Sequence, residues 1–277
     1  MIQNRLERYA IPLRIGQQAE VINPQNDPRY KEYWMVYHRL MCRRGVTPDL
    51  AKAILRTNST AIAALMVHQN EADSLVCGTF GQYLWHLKYV TEVLCTEERQ
   101  PAGAMSMIIL EGGPLFIADG HVHSEPTPEQ IAITVLEAAR QVRHFGLTPK
   151  VALCSQSTFG NLPTDPASRL RDALAILDRA PRDFEYEGEM PVNLALDPAV
   201  RERTFPESRL FGAANVLVFA SSDTASAVRN TLRSAARGLE VGPILMGMDN
   251  KAHIVTPSVT ARGLLNIAAV AGTPLLE

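Results

Sequence analysis

A chain of 277 residues, 46% hydrophobic and 20% charged, has the make-up of an ordinary globular protein, with enough apolar surface for a sizeable core and length for about two domains. Its net charge of -2, with lysines and arginines scattered rather than striped, offers no footprint for nucleic acid or an anionic membrane. No apolar run approaches the roughly 20 residues of a membrane span, and the polar start MIQNRLERYA does not read as a secretory signal.

In chain order, Asp27-Pro28 opens an amphipathic helix over 29–44 that stops at Gly45, since proline suits a first helical turn and glycine the position past the last. Thr47-Pro48 starts another helix, and STAIAALMVHQ (59–69) reads as a third. SLVCG follows as a buried strand, 83–94 as a helix and AMSMIIL as a strand; EGGP signals a turn and LFIAD returns, which predicts a hairpin. Thr127-Pro128 caps a long helix ending at Gly146, and VALCS is the next strand. DPASRLRDALAILDRA carries apolar residues at helical spacing (Leu170, Ala173, Leu174, Ile176, Leu177). ANVLVFA is a β-rich run, SSDTASAVRNTLRSAARG a helix, EVGPILMGM a strand, His253 to Val255 a short strand and 263–271 a packed helix. Alternating helices and near-continuous apolar strands predict an α/β protein with a mostly parallel sheet, in two lobes.

Ligands of such folds sit beyond the carboxyl ends of strands. The tips there are GTFGQ, DGHVHSE, SQSTFGN, SSDTAS and TPSVTAR, rich in small, hydroxyl and amide residues that admit close backbone approach. No GxGxxG follows a strand and no GxSxG elbow exists; Gly242 and Gly247 have P-loop spacing, but Met248 and Asp249 stand where lysine and a hydroxyl belong, so both glycines read as turn or packing positions. Cys42, Cys77, Cys95 and Cys154 are widely spaced without a CxxC pair, which fits a reduced, cytoplasmic chain; Cys154 reads as a buried thiol rather than a nucleophile. His121 and His123 form an HxH with only Asp119 and Glu125 nearby, better suited to loop hydrogen bonding than to metal. Glu187 and Glu189 in YEGEM are paired carboxylates fit for acid/base work or, equally, for a solvated turn.

VALCSQSTFGN, YEGEM, FGAANVLVFASSDTAS, EVGPILMGM and the final segment together resemble the phosphate acetyltransferase/butyryltransferase family over essentially the whole chain. Within it, NDPRYKEYWMVYHRLMCRRGVTP, EADSLVCGT, FIADGHVHSEPTPEQIA and RHFGLTPKVALCSQS are most similar to the C-terminal domain of large bacterial NADP-dependent malic enzymes. The resemblance implies a two-lobed, isocitrate/isopropylmalate dehydrogenase-like fold: a first lobe of 1–118 plus 252–277 and an inserted second lobe of 119–251, with acetyl-CoA recognised in the cleft between them. It implies a homodimer or larger homo-oligomer, joined in one polypeptide to a malic enzyme catalytic domain where NADP and Mg or Mn belong. The family opens with a strand and helix before the region matching IQNRLERYAIPLRIG, so the resemblance also implies a fragment or short member: residues 1–10 would be the tail of a helix lacking its preceding strand, leaving a sheet position uncovered.

Active members of the family carry leucine-serine-arginine-glycine near the C-terminus, with an aspartate beyond that acts as base on the CoA thiol. On this register the serine falls on Thr256, the arginine on Pro257 and the aspartate on Gly263; a further arginine falls on Lys88 and the usual lysine of the SQSTFGN loop on Phe159. Proline brings neither charge nor N–H, and glycine no base. The expectation is therefore a catalytically silent regulatory domain that binds acetyl-CoA through Lys88, Ser155, Ser157, Thr158, Gly160, Asn161, Thr256, Ser258 and Arg262, without a metal. Inhibition as the direction of the effect comes from the resemblance alone. The competing expectations are a working phosphate acetyltransferase and a purely structural dimerisation domain.

Overall fold

The structure, a computed structural model, describes residues 2–23, 26–96 and 99–273, which divide into two compact units, 1–65 and 66–277. The first is helical: α1 (Ile2–Arg8), α2 (Tyr30–Met41), a 3₁₀ turn (Cys42–Arg44) and α3 (Pro48–Thr57). Asp27 accepts the Arg29 N–H at 2.8 Å, so the helix starts one residue later than the Asp-Pro signal suggests. Gly45 ends the 3₁₀ turn at φ +83°, a conformation glycine adopts without cost. Thr47 caps α3 through its side chain, and α2 and α3 pack through buried Tyr33, Tyr37, Met41, Ala51 and Leu55. The next helix, α4 (Ser59–His68), crosses the boundary between the units.

The second unit alternates strands and helices: β1 (Leu75–Cys77), α5 (Tyr83–Leu94), β2 (Gly103–Leu110), β3 (Gly113–Ala118), α6 (Pro128–His144), β4 (Lys150–Cys154), α7 (Asp165–Leu177), β5 (Glu185–Met190), α8 (Val192–Leu196), α9 (Pro198–Thr204), β6 (Val216–Phe219), α10 (Ser222–Ser234), β7 (Leu239–Met246), β8 (Ala252–Ile254) and α11 (Ala261–Ala271). A six-stranded sheet runs β5-β4-β6-β3-β2-β7, and β1 pairs β8 in a separate parallel pair. In the large sheet β5, β4, β6 and β3 are parallel neighbours; β2 runs antiparallel to both β3 and β7, and the β2–β3 hairpin is the one EGGP predicts. The apolar runs VALC and VLVF are fully buried central strands because helices cover both faces. Ile131, Val135, Val142, Leu170 and Leu174 from α6 and α7 fill one side. Leu194, Ala195 and Ala225 from α8 and α10 pack the other, and α11 sets Ile267 and Val270 against Val241 and Ile244.

YEGEM is a strand, not a solvated turn. Glu187 is buried, taking the Arg209 N–H at 2.7 Å, and fully buried Glu189 takes Arg171 at 3.1 Å. Glutamate disfavours strands in isolation, and these partners, distant in sequence, override that preference. No helix among the described residues is long and apolar enough to cross a membrane.

Candidate functional site

The stretch after β8 is positioned by close backbone contact. Gly78, at φ +98°, lies against the Val255 carbonyl, where any Cβ would collide. Beyond it the Thr256 and Ser258 hydroxyls are 2.9 Å apart, and Thr260 caps α11 by accepting the Gly263 N–H at 3.0 Å. Thr256, Ser258, Thr260 and Gly263 line one recess of about 150 Å³, opposite Arg233, Gly238, Glu240 and Gly242.

The recess holds a charge network that the motif reading missed. Glu240 Oε1 accepts from Arg229 at 2.8 Å and from the Ser106 hydroxyl at 2.9 Å, while Oε2 accepts from Arg233 at 3.1 Å. Burial would raise the Glu240 carboxyl, but the Arg229 charge and the hydrogen bonds from Ser106, Arg229 and Arg233 outweigh it and hold it below its ordinary range. A carboxylate so stabilised is a poor base. The sequence signal available was the i,i+4 spacing of Arg229 and Arg233, which puts both on one face of α10.

At the end of β3, Asp119 accepts N–H groups from Ala104 (2.8 Å), His121 (3.0 Å), Val122 (3.1 Å) and His123 (2.8 Å). Burial opposes its ionisation, yet the hydrogen bonds from His123, His121 and Ala104 keep its pKa lowered. His121 stacks on Tyr83 with ring centroids 4.7 Å apart; its pKa falls to about 4, mainly by burial and partly through Arg229. The DGHVH loop is thus folded around a carboxylate, and among the described residues no group of three His, Cys, Asp or Glu is placed to hold a metal ion.

The other expected ligand residues lie elsewhere. Ser155 lines a separate, larger cavity of about 480 Å³ with Cys154, Gln156, Phe219, Ser221, Thr224 and Val228. Burial pushes the Cys154 thiol up, which keeps it protonated. Ser157 is fully buried; its hydroxyl donates to Asn161 Oδ1 (3.1 Å) and accepts the Leu162 N–H (3.1 Å). Asn161 Oδ1 also takes the Thr158 N–H at 2.8 Å, and the Gly160 N–H goes to Glu189 at 2.9 Å. These bonds shape the loop, and Phe159 packs edge-on against Phe205 at 4.9 Å. Lys88 is exposed on α5, its amine 3.9 Å from Glu92. Pro257 and Arg262 are exposed, and neither lines the recess. Thr224 and Arg233 lie roughly half a revolution apart on α10, so the two cavities flank opposite sides of that helix.

A mostly parallel α/β sheet flanked by helices, with a hydroxyl-rich recess after the last strand, defines the class. Residues 1–272 match the phosphate acetyl/butaryl transferase family, and the chain belongs to it. It is 40% identical over 98% of its length to an NAD-dependent malic enzyme of Rhizobium meliloti (strain 1021), and 40% identical over 98% to an NADP-dependent malic enzyme of Salmonella typhimurium. It spans only 35% and 36% of those relatives' own lengths. Its fold is shared with a phosphotransacetylase from Streptococcus pyogenes, at TM-score 0.86 and 20% identity, covering 98% of this chain and 82% of that one.

Proposed function

We propose that this chain is a catalytically silent, phosphate acetyltransferase-like regulatory domain of a malic enzyme, binding acetyl-CoA as effector at the recess after β8. In this reading malate oxidation, NADP and its metal belong to a catalytic domain in the same polypeptide, and the regulatory domain works within a cytoplasmic homo-oligomer. The observation that carries the reading is the recess lining. Thr256, Ser258 and Thr260 supply hydroxyls, while the one carboxylate among the described lining residues, Glu240, is occupied by Arg229, Arg233 and Ser106. The base position is Gly263, part-way through the first turn of α11, and the guanidinium position is the exposed Pro257. Loss of general-base help costs about 10²–10⁴-fold, and loss of a cation at developing charge about 10²–10³-fold more. Hydroxyls that bind without a base fit a ligand held rather than turned over.

Two measurements test this. Calorimetry with acetyl-CoA is expected to show saturable binding to the chain, and a thiol assay with acetyl-CoA and phosphate to show no enzyme-dependent CoA release. Turnover would establish the working transferase instead; absence of binding would leave a structural domain.

A further inference from the structure

Position 257 leaves the recess without the guanidinium that the family register places there, yet the recess is not uncharged. Arg233, reaching in from α10, and Glu240 are the charged lining residues among those described. Glu240 is also the partner of buried Arg229, so the three groups together carry one net positive charge. The part of that charge facing the recess belongs to Arg233. Its side chain is 38% exposed, against 9% for Arg229, and its Nη1 lies 3.1 Å from Glu240 Oε2 and 3.5 Å from the Ser258 hydroxyl. A guanidinium beside two mutually bonded hydroxyls, Thr256 and Ser258, is a donor set for a phosphate group: planar charged donors on one side, rotatable O–H donors on the other.

We infer that Arg233 is the anion anchor of this recess, supplying from α10 the charge absent at Pro257 and holding a phosphate group of the ligand together with Thr256 and Ser258. The inference rests on the recess being the ligand site, but it names a residue and a chemistry that the acetyl-CoA reading does not require. Glu240 sets the geometry: by binding Arg229 with one oxygen and Arg233 with the other, it keeps the Arg233 guanidinium against the recess wall. Arg262, exposed on α11 and outside the lining, is not part of the anchor.

The test titrates acetyl-CoA and inorganic phosphate separately into the full chain by calorimetry, for wild type, Arg233→Met and Arg233→Lys. Arg233→Met is expected to weaken acetyl-CoA binding about 10- to 150-fold, the range for losing a charge-assisted hydrogen bond. Arg233→Lys should restore part of it, since charge survives without the planar fork. Wild-type affinity should fall as ionic strength rises, and the methionine variant should show a flatter slope. If inorganic phosphate binds in an Arg233-dependent way and competes with acetyl-CoA, the anchor reads any phosphate group; if it does not bind while acetyl-CoA remains Arg233-dependent, the nucleotide phosphates are the source. Acetyl-CoA binding by Arg233→Met within about threefold of wild type overturns the assignment and leaves the acetyl-CoA reading standing. Arg233-dependent phosphate binding without acetyl-CoA binding removes that reading and keeps the anchor, whereas binding of neither removes both. Should the methionine variant not fold, a wild-type affinity indifferent to salt is itself the overturning result.

Discussion

Gly263 and Gly78 show how differently two glycines near one recess constrain substitution. At Gly263, the third residue of α11, an added Cβ would sit 3.1 Å from Val259 Cγ2 and 3.3 Å from Thr260 Oγ1, both side-chain atoms able to shift. An aspartate there gains helix propensity and lies near the positive helix terminus, terms of about 0.3–1 kcal/mol each that offset the crowding. Gly263→Asp is therefore expected to fold with a melting temperature near wild type and still to release no CoA in a thiol assay, because groups that act as a unit are not rescued singly. Gly78→Ala meets backbone instead: its Cβ would run into the Val255 carbonyl at a φ that L-residues rarely adopt. We expect a loss of about 2 kcal/mol or more in urea unfolding, or insoluble protein. A Gly78→Ala variant as stable as wild type would contradict the close approach of these two segments. At this scale the hydroxyl cluster of TPSVTAR, which the structure places along one recess, was legible because it follows a strand. Arg233 was not, since its relation to Ser258 is created by folding between residues 25 positions apart.

At the scale of elements, the sequence was legible where local signals agree with burial. Thr127-Pro128 gives a helix whose Thr127 and Gln130 form a reciprocal cap, and VALC and VLVF are buried strands flanked by helices on both faces. β5 was not legible, because its glutamates read as solvent-facing until Arg171, Arg209 and the loop N–H groups are in place. Glu189 is fully buried; its Oε1 takes both Arg171 and the Gly160 N–H. Removing the arginine leaves a buried carboxylate with one backbone donor. Breaking such a pair costs about 3–5 kcal/mol when both partners are buried, and the part-exposed Arg171 brings this to about 2–3 kcal/mol. Arg171→Ala should lower the urea midpoint accordingly, while the double variant Arg171→Ala/Glu189→Gln should recover part of the loss by removing the charge. A double variant no more stable than the single would mean that the pair does not set the stability of this strand.

At the scale of the whole molecule, the buried polar groups predict how stability responds to acid. His253, fully buried in β8, accepts the Leu245 N–H at 3.3 Å through Nδ1 and is pushed by burial to a pKa of about 4; His121 is likewise lowered to about 4. In the unfolded chain both return to the ordinary value of 6.5. The unfolded state therefore takes up protons first, so the stabilisation is fully present above pH 6.5 and is lost progressively as pH falls towards 4. At about 1.4 kcal/mol per unit, His253 alone accounts for roughly 3 kcal/mol by the bottom of that window. Asp119 and Glu240, whose pKa values are lowered, act in the same direction but only below their own ordinary values of 3.8 and 4.5. The interval from pH 6.5 to 4.5 thus isolates the histidines from the carboxylates. Urea midpoints should be flat from pH 8 to about 6.5 and then decline, with His253→Gln showing a shallower decline over that interval even if it is less stable at pH 8. The same slope in wild type and variant would place the proton uptake on another group.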